Sequence, residues 1–181
     1  EAIHEAALRA SATTRQLFTF AGKQSISPEP IDFNELIGGK IEHCRGGMRK
    51  EIDFSWNLGS GTPLVMMDRQ QAEQVLSDLC TRANKAISEE GRITISTSVS
   101  KVSNEVAASM GGVGAGDYLM ITVEDSGKGL SGEELTSVFE PFASSTVNPA
   151  GSMDMAVLYG IVKQNGGFVE VESEPDKGSI F

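Results

Sequence analysis

The chain has 181 residues and a mass of 19.2 kDa, enough for one well-buried core and too few for two large ones. Twenty-five acidic against fifteen basic residues leave a net charge of −10 and a pI near 4.7, which argues against nucleic acid or an anionic membrane as partner, because phosphate neutralisation needs clustered Lys and Arg. No apolar run reaches the length of a membrane span and no leader-like stretch opens the chain, while Cys44 and Cys80 each sit inside an apolar helical pattern; the expectation is a cytoplasmic domain with reduced core cysteines and no membrane contact of its own.

The opening stretch, EAIHEAALRASATTRQLFTFAGKQ, reads as helix from its first residue, with Ile3, Ala7, Ala10, Leu17 and Ala21 in a stripe at helical spacing. Such a helix is unstable alone in water, so it predicts a partner, either in a helical hairpin or in a dimer bundle. Two prolines in SISPEP break the pattern and mark the boundary. Beyond it, IDF reads as a short strand, Asn34 to Arg45 as a helix with Leu36, Ile37, Ile41 and Cys44 on one face, EIDFSW as a half-buried strand and PLVMM as a buried one. Asp68 is placed to cap the next helix, with Gln71 three residues on as its reciprocal partner. In that helix Ala72, Val75, Leu76, Leu79, Cys80, Ala83 and Ile87 make the apolar stripe.

RITISTSV and YLMITVED follow as two strands of a hairpin. The joint between them, NEVAASMGGVGAGD, reads as a loop, and its glycines lack the Gly-Lys-Ser/Thr of a Walker phosphate loop. The last third offers a turn (DSGKGL), a short helix, a loop of small polar residues (ASSTVNPAGS), a helix from Asp154 to Gln164 stopped by Gly166 and Gly167, a strand (FVEVES), and in KGSIF the start of one more. Both ends fall inside a pattern, so the chain reads as a fragment.

One turn carries chemistry. In EDSGKGL, Asp125 can present a carboxylate from a strand end, and Gly127 and Gly129 let the backbone turn sharply and approach a ligand. The same pattern also describes an ordinary glycine turn with an Asp hydrogen-bonding its own backbone. Its surroundings are more specific. The helix MMDRQQAEQVLSDLCTRANKAI, the turn VEDSGKGL, the segment VFEPF and the run VLYGIVKQNGGFVEVESEPDKGSIF resemble, in order, the N box, first glycine box, phenylalanine box and C-terminal run of the catalytic ATP-binding domain of sensor histidine kinases. TRQLFTFAGKQ looks like the end of the second helix of their dimerisation and phosphoacceptor hairpin.

The resemblance implies a two-layer α/β sandwich, a mixed sheet with helices on one face, over residues 28–181 with its last strand cut short. Residues 1–27 would be part of the hairpin helix. It further implies ATP and Mg2+ as ligands, a response regulator receiver domain as partner, a homodimer through the N-terminal helix, and Asp125 accepting from the adenine amino group with Gly127 and Gly129 beside the base. The phosphoacceptor histidine would lie upstream; His4 and His43 are read as solvated or bundle-edge residues.

Departures from the family pattern bear on mechanism. The N-box Asn that would coordinate magnesium is Arg82, and the polar residue one turn earlier is Asp78. At about 100° per residue Gln71, Gln74, Asp78, Arg82 and Lys85 share one flank of the helix, whereas Asn84 lies about 160° from Arg82. Either Arg82 takes the metal's place and holds phosphate directly, or Asp78 and Arg82 pair at i, i+4 and plug the site; Lys85 matches the family's basic position. The second glycine box, aligned back from YGIVKQ, falls on Ala150, Gly151, Ser152, Met153, Asp154 and Met155, so its glycine positions carry side chains and Gly151 is out of step. Asp154 is expected to cap its helix, taking the NH groups a phosphate needs and adding a negative charge there. The lid stretch ASSTVNPAGSMD has no Lys or Arg.

Three functions therefore stand side by side: an ATP-binding kinase domain, impaired in nucleotide and Mg2+ binding; a pseudokinase or phosphorelay adaptor that binds a receiver domain or partner kinase; and an ATP hydrolase with Asp78 as general base, which would lack a metal clamp on the phosphoryl group.

Overall fold

A computed structural model describes residues 26–48, 51–110, 113–140 and 151–181. The helix expected over residues 1 to 22, with His4 and its stripe, lies outside these ranges, as does the lid up to Ala150.

The chain enters through a short antiparallel ribbon, β1 (Glu29–Ile31) against β3 (Val65–Met67), with Ile31 opposite Val65. Between them run α1 (Phe33–Gly46) and β2 (Ile52–Leu58). Asp32 accepts from the NH groups of Asn34 and Glu35 at 2.8 and 3.2 Å and so starts α1, which is why Phe33 opens a helix instead of ending the expected strand.

The main sheet has five strands in the order β2-β4-β5-β7-β6, with β4 at Gly91–Val102, β5 at Gly116–Asp125, β6 at Glu172–Glu174 and β7 at Gly178–Ile180. β2 runs parallel to β4 and the other neighbours are antiparallel, so the sheet is mixed. Alternation along β4 explains its two faces: Ile93, Ile95 and Thr97 are buried, whereas Thr94, Ser96 and Ser98 on the other face are partly exposed. Opposite them on β5, Val123 pairs with Ile95 and Asp125 with Ile93, which brings Asp125 to the strand end on the buried face.

The long helix α2 (Arg69–Ala86) lies against β5. Asp68 starts it as expected, accepting from Gln70 N and Gln71 N at 2.9 and 3.2 Å. Its stripe residues Ala72, Val75, Leu76, Leu79, Cys80 and Ala83 are buried among Ile93, Ile95, Leu158 and Ile161. Each fully buried Leu or Ile contributes about 1.5–3 kcal/mol, so this seam fixes the angle at which the polar flank of α2 meets the rest of the chain. α5 (Gly151–Gln164) packs beside α2, and so does α1.

Three local expectations are corrected. The joint between β4 and β5 contains a helix, α3 (Asn104–Met110), which Ser103 starts by accepting from Val106 N at 3.3 Å. Gln71 makes no capping box; its amide bridges to Gln164 and Asn165 at 3.2 and 2.9 Å and ties α2 to α5. The capping box lies at α4 (Gly132–Ser137), between Ser131 and Glu134. In FVEVES only the end pairs as β6, while Val169 and Val171 pack on the core without joining the ladder. Among the described residues no helix is long and apolar enough to cross a membrane.

Candidate functional site

Asp125 ends β5 with its side chain 1% exposed. One carboxylate oxygen, Oδ1, accepts from Gly127 N at 2.9 Å. The other, Oδ2, is taken by the Nη1 of Arg82, which reaches down from α2 to form a buried ion pair. The second guanidinium nitrogen donates to Ser179 Oγ at 2.8 Å, and the guanidinium carbon stands 4.3 Å from the centre of the Phe181 ring, a cation–π geometry. Burial lowers the Arg82 pKa, and the Asp125 charge opposes that shift. Asp125 thus has a partner on each oxygen, and Arg82 has a partner on each terminal nitrogen and on its face.

The side chains around this pair are themselves held in place. Ser179 Oγ lies 2.8 Å from Ser173 Oγ, which accepts from Leu130 N at 2.8 Å. Phe181 packs edge-on against Phe139 of the VFEPF segment, and Phe139 stacks on Tyr159 of α5 with centroids 5.3 Å apart.

The turn glycines serve close packing. A Cβ at Gly127 would lie 2.5 Å from the carbonyl oxygen of Ala86, at the end of α2. Gly129 has φ of +66°, and a Cβ there would overlap the carbonyl oxygen of Glu174. Both glycines are therefore required by the turn's seat against α2 and the β6–β7 connection, whatever else they do.

One turn before Arg82 on the same flank, Asp78 is 8% exposed. Its Oδ1 accepts from Gln74 Nε2 at 2.6 Å, and its Oδ2 has no hydrogen-bond partner among the described residues. Burial first, then the negative charge of Asp154, push its pKa up to about 7, against the pull of Gln74 and Lys85. Lys85 Nζ stands 3.7 Å from Asp154 Oδ2, across the seam between α2 and α5.

Of the expected flank, Arg82 reaches Asp125, Gln74 bonds Asp78 and Lys85 meets Asp154, whereas Gln71 turns to Gln164 and Asn165; two pairings also differ. Asp78 and Arg82 do not pair with each other, because Asp125 offers the guanidinium a partner that is already desolvated and brings Ser179 with it. Asp154 is not the cap of its helix: α5 begins at Gly151, which puts Asp154 within the first turn, where its carboxylate pairs with Lys85. Met155 is buried at 4% exposure, as packing; the side chains of Gly151, Ser152 and Met153 lie outside the described residues. Ser179 and Phe181 were missed, and only the KGSIF run pointed to them.

Chemically, the site holds a guanidinium on the carboxylate that the resemblance gives to adenine. Arg82 carries donors only and is no metal ligand. As arranged, each oxygen of Asp125 already accepts one hydrogen bond, and the residue at position 82 does not fit magnesium. Among the described residues no group of three or more His, Cys, Asp or Glu side chains could hold a metal ion.

Residues 67–181, the whole of this site included, match the family described as histidine kinase-, DNA gyrase B-, and HSP90-like ATPase. The chain belongs to that family. Among curated relatives, the sensor kinase CckA of Brucella abortus (strain 2308) is 31% identical over 180 residues, covering 99% of this chain and 19% of that protein. Among solved structures, full-length ShkA in complex with AMPPNP matches 99% of this chain and 36% of its own, with a TM-score of 0.73 at 20% identity. The histidine kinase ThkA in complex with the response regulator protein TrrA matches 99% and 47%, with a TM-score of 0.66 at 20% identity. This ATPase-family chain therefore has the fold of histidine kinase catalytic domains and spans about a fifth of the length of CckA.

Proposed function

We propose that the chain is the ATP-binding-type domain of a two-component sensor histidine kinase whose nucleotide site is filled from within, so that it serves as a pseudokinase or phosphorelay adaptor. Its partner would be a receiver domain or a second kinase, met through the folded surface rather than through ATP turnover. The observation that carries this reading is the Arg82–Asp125 ion pair, closed by Ser179 and Phe181. A ligand amino group seeking Asp125 would have to displace a charge-assisted hydrogen bond inside a desolvated pocket. The Asp154 carboxylate beside Asp78 adds negative charge where phosphates would come. The relative CckA is a sensor kinase and the neighbour ThkA is solved with a response regulator, which supports a two-component setting and a receiver partner; a cytoplasmic homodimer of the longer protein is part of the same proposal.

A second reading keeps the domain as a working kinase: Arg82 would swing from Asp125 to the phosphates when ATP enters. Retention of Lys85, Asp125, Gly127 and Gly129 favours it. The test follows phosphate from γ-labelled ATP with magnesium, in a longer form carrying the hairpin and its histidine, with binding of a cognate receiver domain measured in parallel. The adaptor reading predicts receiver binding without histidine labelling; ATP-dependent labelling would establish the kinase instead.

A further inference from the structure

The two edges of the main sheet are built differently. At one end β6 is three residues long, carries Glu172 and Glu174 and is followed by Pro175, a short, charged edge that resists pairing with another chain. At the other end β2 runs for seven residues, IDFSWNL, in unbroken parallel register with β4, from Ile52 beside Gly91 to Leu58 beside Thr97. It contains no Lys, no Pro and no bulge, and among the described residues no strand pairs with its outer side. Trp56 on this strand is 42% exposed, and its ring lies 6.1 Å from that of Phe54, which is half-buried against the core.

The hydrogen bond from Gly59 N to Thr97 O, at 3.0 Å, shows which backbone groups β4 uses. Along a strand the backbone groups of successive residues point to opposite sides. Asp53, Ser55 and Asn57 therefore turn theirs to β4, as Gly59 does, while Ile52, Phe54, Trp56 and Leu58 turn theirs to the open edge. Such a row of free donors and acceptors is a template for one more strand.

We propose that β2 is a self-association edge, which pairs antiparallel with β2 of a second copy of this chain about a two-fold axis at Ser55. In that register Phe54 stands opposite the partner's Trp56 and Ile52 opposite the partner's Leu58, so all four open residues exchange backbone hydrogen bonds with open residues. Sliding one copy by two residues leaves an open residue without a partner, and sliding it by one sets open groups against groups already bonded to β4. Asp53, the strand's one charged side chain, falls opposite the partner's Asn57, so no like charges meet. Two aromatic pairs, one on each side of the axis, add the cross-strand contacts that stabilise antiparallel ladders, and Trp is a residue type that anchors interfaces. The strand is thus its own complement in hydrogen bonding, charge and shape, which selects a second copy as the occupant. This contact is separate from a dimer through the N-terminal helix.

The test pairs sedimentation of the intact chain across a concentration series with cross-linking by mild oxidation. Ser55 bonds Thr94 Oγ1 through its hydroxyl at 3.1 Å on the open face of the sheet. Across the axis it would face its own copy as a non-hydrogen-bonded pair, with Cα atoms about 4.5 Å apart, within the span of a disulfide. The expected results are a concentration-dependent association of the wild-type chain, a dimer of Ser55→Cys linked through position 55 of both copies, and no link in Asp53→Cys unless Asn57→Cys is added. Trp56→Lys, at an exposed position, should weaken the association at least about tenfold and leave the melting temperature unchanged. A chain that stays monomeric, oxidation that links copies only through Cys44 or Cys80, a link at position 53 as efficient as at 55, or an association that Trp56→Lys does not weaken would each overturn the proposal.

Discussion

The guanidinium of Arg82 and the carboxylate of Asp125, 43 residues apart in sequence, form one buried ion pair between α2 and the end of β5, with side chains 15% and 1% exposed. Such a pair is self-sufficient only while both partners remain, because either charge alone would be stranded in a desolvated pocket.

Asp125→Ala should therefore cost about 3–5 kcal/mol of folding stability, read as a shift in urea midpoint. A double-mutant cycle with Arg82→Met should return a coupling of at least about 1 kcal/mol. Independent effects would mean that the pair is not formed in solution.

Reopening the site needs two changes. Arg82→Asn frees Asp125 Oδ2, and Asp154→Gly removes the carboxylate beside Asp78. Together they should raise ATP affinity at least about tenfold, or 1.4 kcal/mol, in an equilibrium titration with a fluorescent nucleotide. No gain would place the obstruction elsewhere in the pocket.

Asp78 makes stability depend on pH. Its pKa is near 7 in the folded chain against the ordinary 3.8, so between those values the folded state holds a proton that the unfolded state releases. The contribution of this group is greatest below about pH 4 and is lost as pH rises through 7. Asp78→Asn should become more stable than wild type as pH rises from 4 to 8, by on the order of 4 kcal/mol at the upper end. Thermal melts across that range that run in parallel would contradict the burial assigned to this carboxylate.

Gly129→Ala should lower the melting temperature, since the backbone is left-handed and the new methyl meets Glu174; the cost is at least about 1 kcal/mol. Gly127→Ala should do the same through Ala86. Unchanged melting in both would mean that the turn is not seated as described.

The parts legible in the sequence were those written in local period. The α2 stripe and its Asp68 cap recur at fixed spacing, and the polar flank carrying Asp78, Arg82 and Lys85 follows from about 100° per residue. Partner choice on that flank was not legible, because it depends on where β5 ends relative to α2, a consequence of topology. An i, i+4 pair was available to Arg82, yet a partner from β5, together with Ser179 and Phe181 from the last strand, took it. α3 was hidden by the glycines that follow it, although Ser103 ahead of Asn-Glu-Val is an ordinary helix start. Asp154 was misplaced because Gly151 and Ser152 looked like loop, while the helix runs through them.

The most direct measurement is a calorimetric titration of the chain with ATP and with ADP, each with and without magnesium. An internally filled site predicts no saturable heat up to millimolar nucleotide and no effect of the metal. Saturable, magnesium-dependent binding at micromolar concentrations would show that Arg82 gives way to the ligand, and would contradict the account.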